Sequence, residues 1–118
     1  EHATLVAWCA AHRTPVERND QNQWGLRYAS DVVQITAAAL AAGLTAAAGT
    51  TTYVLQMMLN NPPGISPAMD VAKMSAMETI VQSVVGEEVT ILRQLRAGLF
   101  SMPSLAPVAA RWNLAYSE

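Results

Sequence analysis

The chain carries little charge for its length. Only 14% of its 118 residues are Asp, Glu, Lys or Arg, whereas about 25% is usual in soluble domains. A surface with so few charges dissolves poorly on its own, so we expect much of it to be buried against another protein chain or against lipid. The net charge of −2 also disfavours capture of nucleic acid, because that binding needs lysines and arginines to neutralise phosphates.

Six arginines form two loose groups along the chain. They are Arg13, Arg18 and Arg27, and then Arg93, Arg96 and Arg111. Scattered surface arginines are the ordinary interpretation of such groups. Contact with a phosphate backbone is expected only within a polymer, where the contributions of many copies add together.

Cysteine is scarce as well, since Cys9 is the only one. An internal disulfide and an all-cysteine metal site are therefore excluded. Cys9 and His12 share one face of a predicted helix, with His2 nearby, and could act as metal ligands or as nucleophile and base. A zinc site needs further ligands, and a reactive pair needs an orienting acid and oxyanion donors, which the sequence does not show. We predict no metal, no cofactor and no catalytic residue, and hence a protein that is not an enzyme.

Other chemical motifs are missing or weak. The phosphate-binding patterns GxGxxG and GxxxxGK do not occur. On a helix, the adjacent Glu87 and Glu88 would point about 100° apart and could not face each other as acid and base. Five methionines fall at core spacing, which favours core or interface packing over haem ligation. They are Met57, Met58, Met69, Met74 and Met77.

Helical signals dominate the chain. Leu5, Trp8, Cys9 and His12 predict a short first helix, and a polar loop is expected over residues 15–25. Ser30 with Asp31, and Ser66 with Pro67, are typical of helix starts. The segment YVLQMML is the only candidate strand, and its direct connection to an alanine-rich helix argues against one. We predict an all-α fold, an irregular helical bundle of about four to five helices in a single domain over residues 1–118.

An apolar stripe predicts one long amphipathic helix after the proline-rich segment NNPPGISP. Its members recur at steps of three and four: Met74, Met77, Val81, Val85, Val89, Leu92, Leu95 and Leu99. Gly86 is a point where this helix could kink, and Gly98 suits a C-terminal cap. A last helix is predicted from Leu105, Val108, Trp112 and Ala115.

Residues 35–59 carry no charge and are rich in alanine, threonine and glycine. Small residues form two rows on the predicted helix. One row is Ala38, Ala42 and Ala46, and the other is Ala39, Gly43 and Ala47. Rows of this kind let two helix backbones approach closely, in a membrane or in protein. We therefore predict that these six residues form an interface with other protein subunits.

A membrane span over about residues 32–59 is the alternative, because the uncharged stretch exceeds the roughly 20 residues that cross a bilayer. Alanine and threonine contribute little transfer free energy, which favours a helix packed against protein. The basic residues before the segment would place the N-terminus of such a span in the cytoplasm or matrix.

LNNPPGISPAM followed by KMSAMET resembles the NNPP segment and the stretch after it in coat proteins of flexuous filamentous plant viruses. Met74 and Met77 stand at the aromatic positions of that family. The resemblance implies a helical, RNA-wrapping subunit.

These patterns together predict a non-catalytic structural subunit that packs into a larger complex or polymer, such as a capsid or filament, as a homo-oligomer or within a larger assembly. The alternative function is a single-span accessory subunit of a membrane complex. Because the chain begins at Glu1 and ends on an unfinished helical pattern, we also expect a processed product or a fragment of a longer chain.

Overall fold

The computed structural model describes residues 2–21, 29–59 and 65–97. Within these ranges the elements are α1 (His2–Ala11), β1 (Val16–Glu17), α2 (Asp31–Ala47), β2 (Thr52–Leu59), α3 (Pro67–Val85) and β3 (Thr90–Ala97). The prediction of an all-α helical bundle is wrong, because the three strands pair in one sheet. The fold is α/β.

The sheet is parallel and has the strand order β1, β2, β3. The central strand β2 pairs with β3 along its whole length, and with β1 at only two positions, Val16↔Tyr53 and Glu17↔Val54. Two neighbouring parallel strands must be joined by a crossover that returns the chain to the end of the sheet where the first strand began. The helices α2 and α3 are these two crossovers.

The predicted helix starts are confirmed. The Ser30 hydroxyl accepts a hydrogen bond from the Val33 amide at the start of α2. At the start of α3, the Ser66 hydroxyl accepts one from the Met69 amide at 3.3 Å, and Pro67 occupies the first turn. Both caps satisfy amides that have no partner within the helix, which explains why local sequence located these two starts.

The uncharged segment 35–59 is divided between a helix and a strand. The helix α2 ends at Ala47, Gly49 has a φ of 93°, and the strand β2 begins at Thr52. The apolar run of β2 belongs to a strand that is largely buried, and such strands in parallel sheets read as nearly continuous hydrophobic segments. The rejection of YVLQMML as a strand is therefore wrong.

The alternative of a membrane span over about residues 32–59 is wrong, because these residues are divided between the helix α2 and the strand β2. In the described part of the chain, no helix combines the length and apolar character that would let it cross a membrane.

The long helix predicted across 67–99 ends early. The helix α3 stops before Gly86, which has a φ of 79°, and β3 follows after a turn. In β3, Ile91 and Leu95 pack against the core while Leu92 lies 45% exposed. A spacing that fits one helical face thus falls on two faces of a strand. The predicted cap at Gly98 lies outside the described residues.

Two further sequence predictions fall partly or wholly outside the described residues. The predicted polar loop 15–25 contains the strand β1, and its residues 22–25 lie outside the described ranges. The predicted last helix, with Leu105, Val108, Trp112 and Ala115, and the proline-rich residues 60–64 also lie outside them.

The core lies between the sheet and the pair α2 and α3, which therefore cover the same face of the sheet. Alternate residues of β2 point into this core and meet one side of each helix. The buried cluster is Ala38, Ala39, Ala42, Tyr53, Leu55, Met57, Leu59, Met74, Met77, Val81 and Val89. One side of α2 is consequently committed to the chain's own core.

Candidate functional site

Three of the small residues predicted as an interface lie in the core. Ala38 and Ala42 are 0% exposed, and Ala39 is 8% exposed. They pack in the same cluster as buried residues of β2 and α3. The close approach that the alanines allow is therefore made within this chain.

The other three are less buried. Gly43 faces α3, where a Cβ atom built on it would lie 2.9 Å from Cγ1 of Val84. Ala46 is partly buried against the core, and Ala47 is exposed. Contact of these residues with another protein chain stays a prediction.

The outer side of α2 carries the largest apolar exposure in that helix. Val32, Leu40 and Leu44 are 73%, 64% and 65% exposed. With the exposed Thr36 they lie four residues apart and form one i±4 row, here named the α2 ridge (Val32, Thr36, Leu40, Leu44). An exposed, contiguous apolar surface on a folded domain is typical of a binding site for another molecule.

A groove separates the α2 ridge from α3. Ile35, Ala39 and Gly43 form its floor on the α2 side, and Ile80 and Val84 of α3 form its opposite wall. Two of these three floor residues are alanine and glycine, whose small size lowers the floor relative to the α2 ridge. We name this groove the inner groove.

A second groove runs along the other side of the α2 ridge. It is lined by Val33, Ala37 and Ala41 of α2, and it is bordered by Arg18 and Asp20 beyond the end of β1. The Arg18 guanidinium donates to both oxygens of the Asp20 carboxylate at 2.7 and 2.9 Å. We name this second groove the outer groove. The bidentate pair neutralises the two charges that the described residues place at its border, so they leave the outer groove electrically almost neutral.

A cluster of three charged side chains lies at the N-terminal end of α2. Lys73 Nζ lies 3.2 Å from an Asp70 carboxylate oxygen and 4.0 Å from one of Asp31. The side chains of Lys73 and Asp70 are only 2% and 3% exposed. A buried charge is tolerated when it is paired, so this cluster ties the first turn of α3 to the start of α2.

Tyr53 lies behind α2 and is 1% exposed. Burial raises the pKa of its phenol to about 12, because the phenolate would lose its hydration. The carboxylates of Asp20 and Glu17 contribute to this raised pKa, and the guanidinium of Arg18 opposes them. No described residue hydrogen-bonds to the hydroxyl. A phenol that stays protonated at neutral pH is poorly matched to proton transfer there.

The sheet face away from α2 and α3 carries a polar network that the sequence analysis missed. The Gln56 amide donates to a Glu17 oxygen at 2.9 Å, and the Arg96 guanidinium donates to the same oxygen at 3.0 Å. The Gln94 amide, turned so that its nitrogen faces the carboxylate, donates to Glu17 at 3.0 and 3.1 Å. Glu17 is 39 and 79 residues from Gln56 and Arg96, so no local signal could have revealed the network.

The candidate chemical residues in α1 and just after it have structural contacts. The His12 ring stacks on Trp8 with centroids 4.0 Å apart, and its Nδ1 lies 2.8 Å from the Trp8 carbonyl oxygen. Cys9 is a half-buried free thiol. Across the described residues, no group of three or more His, Cys, Asp or Glu side chains could hold a metal ion.

Other sequence candidates occupy ordinary structural positions. Met57, Met74 and Met77 are buried in the core. Glu87 and Glu88 are exposed in the turn between α3 and β3, whereas the sequence analysis placed them on a helix.

Three of the four described arginines that were considered for phosphate contact form ion pairs. Arg18, Arg93 and Arg96 each form an ion pair with a carboxylate, at 2.7, 2.9 and 3.0 Å. Arg27 and Arg111 lie outside the described residues. Ion pairing of these guanidinium groups reduces the charge that could neutralise phosphates.

The resemblance to viral coat proteins implied a helical subunit, which the parallel sheet contradicts. Its NNPPG portion lies outside the described residues. No protein-family model, curated protein or solved structure gives a significant match to this chain.

Proposed function

We propose that the chain is a non-catalytic subunit of a protein assembly, and that it packs against a neighbouring protein chain through the α2 ridge. The observation that carries this proposal is the exposure of Val32, Leu40 and Leu44 in one row of a helix whose opposite side is already buried. These residues are not needed for the chain's own core.

The energetics support a protein partner for this surface. Complete burial of one large aliphatic side chain is worth about 1.5–3 kcal/mol. Three such side chains in a single row supply a substantial gross contribution to association, before the entropy cost of binding is subtracted. The low charge content of the whole chain, 14%, also favours a protein whose surface is partly covered by its neighbours.

A non-catalytic function is supported by how the buried polar groups are used. Lys73 and Asp70 pair with each other, and Gln56 binds Glu17. Internal partners of this kind stabilise the fold and leave less polar capacity for a substrate.

The experiment compares sedimentation of the chain in lysates of its source cells, with and without the substitution Leu40→Lys. The wild-type chain is expected to sediment as part of a particle larger than the monomer. Leu40→Lys places a charge in the α2 ridge, and burial of that charge would require desolvation, so the variant should sediment more slowly.

The matched control is Val71→Lys. Val71 is 50% exposed on α3 and lines neither groove, so its substitution should leave sedimentation unchanged. Circular dichroism confirms that both variants are folded. A wild-type chain that sediments as a monomer, or a particle that tolerates Leu40→Lys as well as Val71→Lys, would refute the proposal.

A further inference from the structure

We infer that the neighbour on the α2 ridge is a second copy of this chain, in an isologous dimer with α2 packed on α2 across a two-fold axis. This inference rests on the proposed function and adds the identity of the partner. The supporting observations are the shape and the charge of one surface, which consists of the α2 ridge and the grooves on its two sides. We name this surface the α2 face.

The shape of the face is self-complementary. The α2 ridge stands between two grooves whose floors contain Ala39 and Gly43 on one side, and Ala37 and Ala41 on the other. An i±4 row of one helix packs into the groove beside the i±4 row of another, with the axes crossing at about −50°. The same face therefore supplies both the projecting row and the groove that receives it.

The two-fold axis determines which residues meet. In a two-fold crossing centred midway along the α2 ridge, Val32 of one copy lies against the partner's Leu44. Thr36 of one copy lies against the partner's Leu40. Each contact occurs twice, as an isologous interface requires.

The charge of the face is compatible with self-association. The helix α2 has no charged residue after Asp31. At the border of the face, Arg18 and Asp20 neutralise each other. An isologous interface places a surface against a copy of itself, so a face with charges of one sign would repel its own copy. Among the described residues, the α2 face brings no like charges into contact, and it offers no unpaired charge that would select a strongly charged partner.

The first experiment measures the dissociation constant of the purified chain by sedimentation equilibrium. We expect a concentration-dependent dimer in the wild-type chain. The substitution Leu40→Lys should weaken dimerisation at least tenfold, and Val71→Lys should not change it. A dimer that persists unchanged in Leu40→Lys would overturn the assignment to the α2 face.

A second experiment tests the two-fold pairing itself. Thr36→Glu should weaken its own dimer for the same reason as Leu40→Lys. In an equimolar mixture of the two variants, the introduced lysine of one chain lies against the introduced glutamate of the other. The mixed dimer should therefore form more tightly than either variant alone. If mixing restores no dimer, the α2 on α2 pairing is wrong.

The two proposals fail in different ways. A purified wild-type chain that stays monomeric at all accessible concentrations overturns the inference of a second copy. If the same chain still sediments in a large particle that Leu40→Lys disrupts, the proposed function stands and the partner is a different protein. The thermal melt of each variant, followed by circular dichroism, shows that loss of association does not reflect loss of folding.

Discussion

Gly43 and Val84 bring α2 and α3 into close contact, because a Cβ atom at Gly43 would lie only 2.9 Å from Cγ1 of Val84. Valine in a helix strongly prefers one rotamer, so its methyl group does not move away freely. Gly43 therefore matters for packing even though glycine is a weak helix former.

The first prediction follows from this contact. Gly43→Ala should lower the free energy of unfolding by about 1 kcal/mol, because overpacking exceeds the gain in helix propensity. In a Val84→Ala background the clash is removed, and the same substitution should raise stability by about 0.5–1 kcal/mol. Urea denaturation of the four chains of this cycle measures both effects. An equal effect of Gly43→Ala in the two backgrounds would contradict the close contact.

The second prediction concerns the buried pair of Lys73 and Asp70. Lys73→Met should destabilise the chain by about 3 kcal/mol, because it leaves Asp70 buried without its cation. Asp70→Asn should cost less, since Lys73 keeps Asp31 at 4.0 Å. Chemical denaturation at neutral pH compares the two variants. Arg93→Met is the control, because the exposed pair of Arg93 with Glu78 should contribute less than about 1 kcal/mol.

The third prediction is a loss of stability at alkaline pH that arises from Tyr53. Its pKa is about 12 in the folded chain, against 10.0 as the ordinary value. Between these values the unfolded chain releases the proton while the folded chain retains it. The contribution is therefore fully present below pH 10.0 and is lost as the pH rises towards about 12. The expected slope from this group is a loss of about 1.4 kcal/mol per pH unit.

Tyr53→Phe isolates this contribution from other groups that titrate at high pH. The variant should lack the extra slope, and near neutral pH its stability should match or exceed that of the wild type. The reason is that the hydroxyl is buried without a hydrogen-bond partner among the described residues. Denaturation curves across the alkaline range measure the difference. Parallel pH profiles of the two chains would contradict the raised pKa.

The fourth prediction concerns the turn after α3. Gly86 has φ and ψ of 79° and 179°, a conformation that is essentially restricted to glycine. A Cβ atom there would meet nothing within 4 Å, so any cost of Gly86→Ala comes from the backbone alone. We expect Gly86→Ala to lower the free energy of unfolding by about 1–3 kcal/mol. Replacement of Gly86 by D-alanine should restore most of it, and Glu87→Ala in the same turn is the neutral control.

Local signals located the helices but not their lengths. The hydroxyls of Ser30 and Ser66 bond to amides three residues away, so the starts of α2 and α3 could be read from neighbouring residues. The end of α3 could not, because the apolar steps that follow Gly86 satisfy a helical period as well as a strand in which Ile91 and Leu95 face the core.

The helix that carries the candidate surface was identified from the sequence, but the α2 ridge on it was not predicted. The sequence pattern predicted an interface at Ala38, Ala42 and their neighbours because small residues permit close packing. In the structure that packing is used for the chain's own core, which turns Leu40 and Leu44 outward. Which side of an alanine-rich helix stays exposed depends on where the sheet and α3 lie.

The amino-acid sequence by itself determined the start of each capped helix, the scarcity of charge and the small-residue rows of α2. These features depend on composition or on bonds between near neighbours. Only the tertiary structure decided that residues 52–59 and 90–97 are strands, and that Val32, Leu40 and Leu44 face outward. A strand is stabilised by hydrogen bonds to segments far away in the chain, and an apolar run alone does not reveal whether its partner is a distant strand or its own next helical turn.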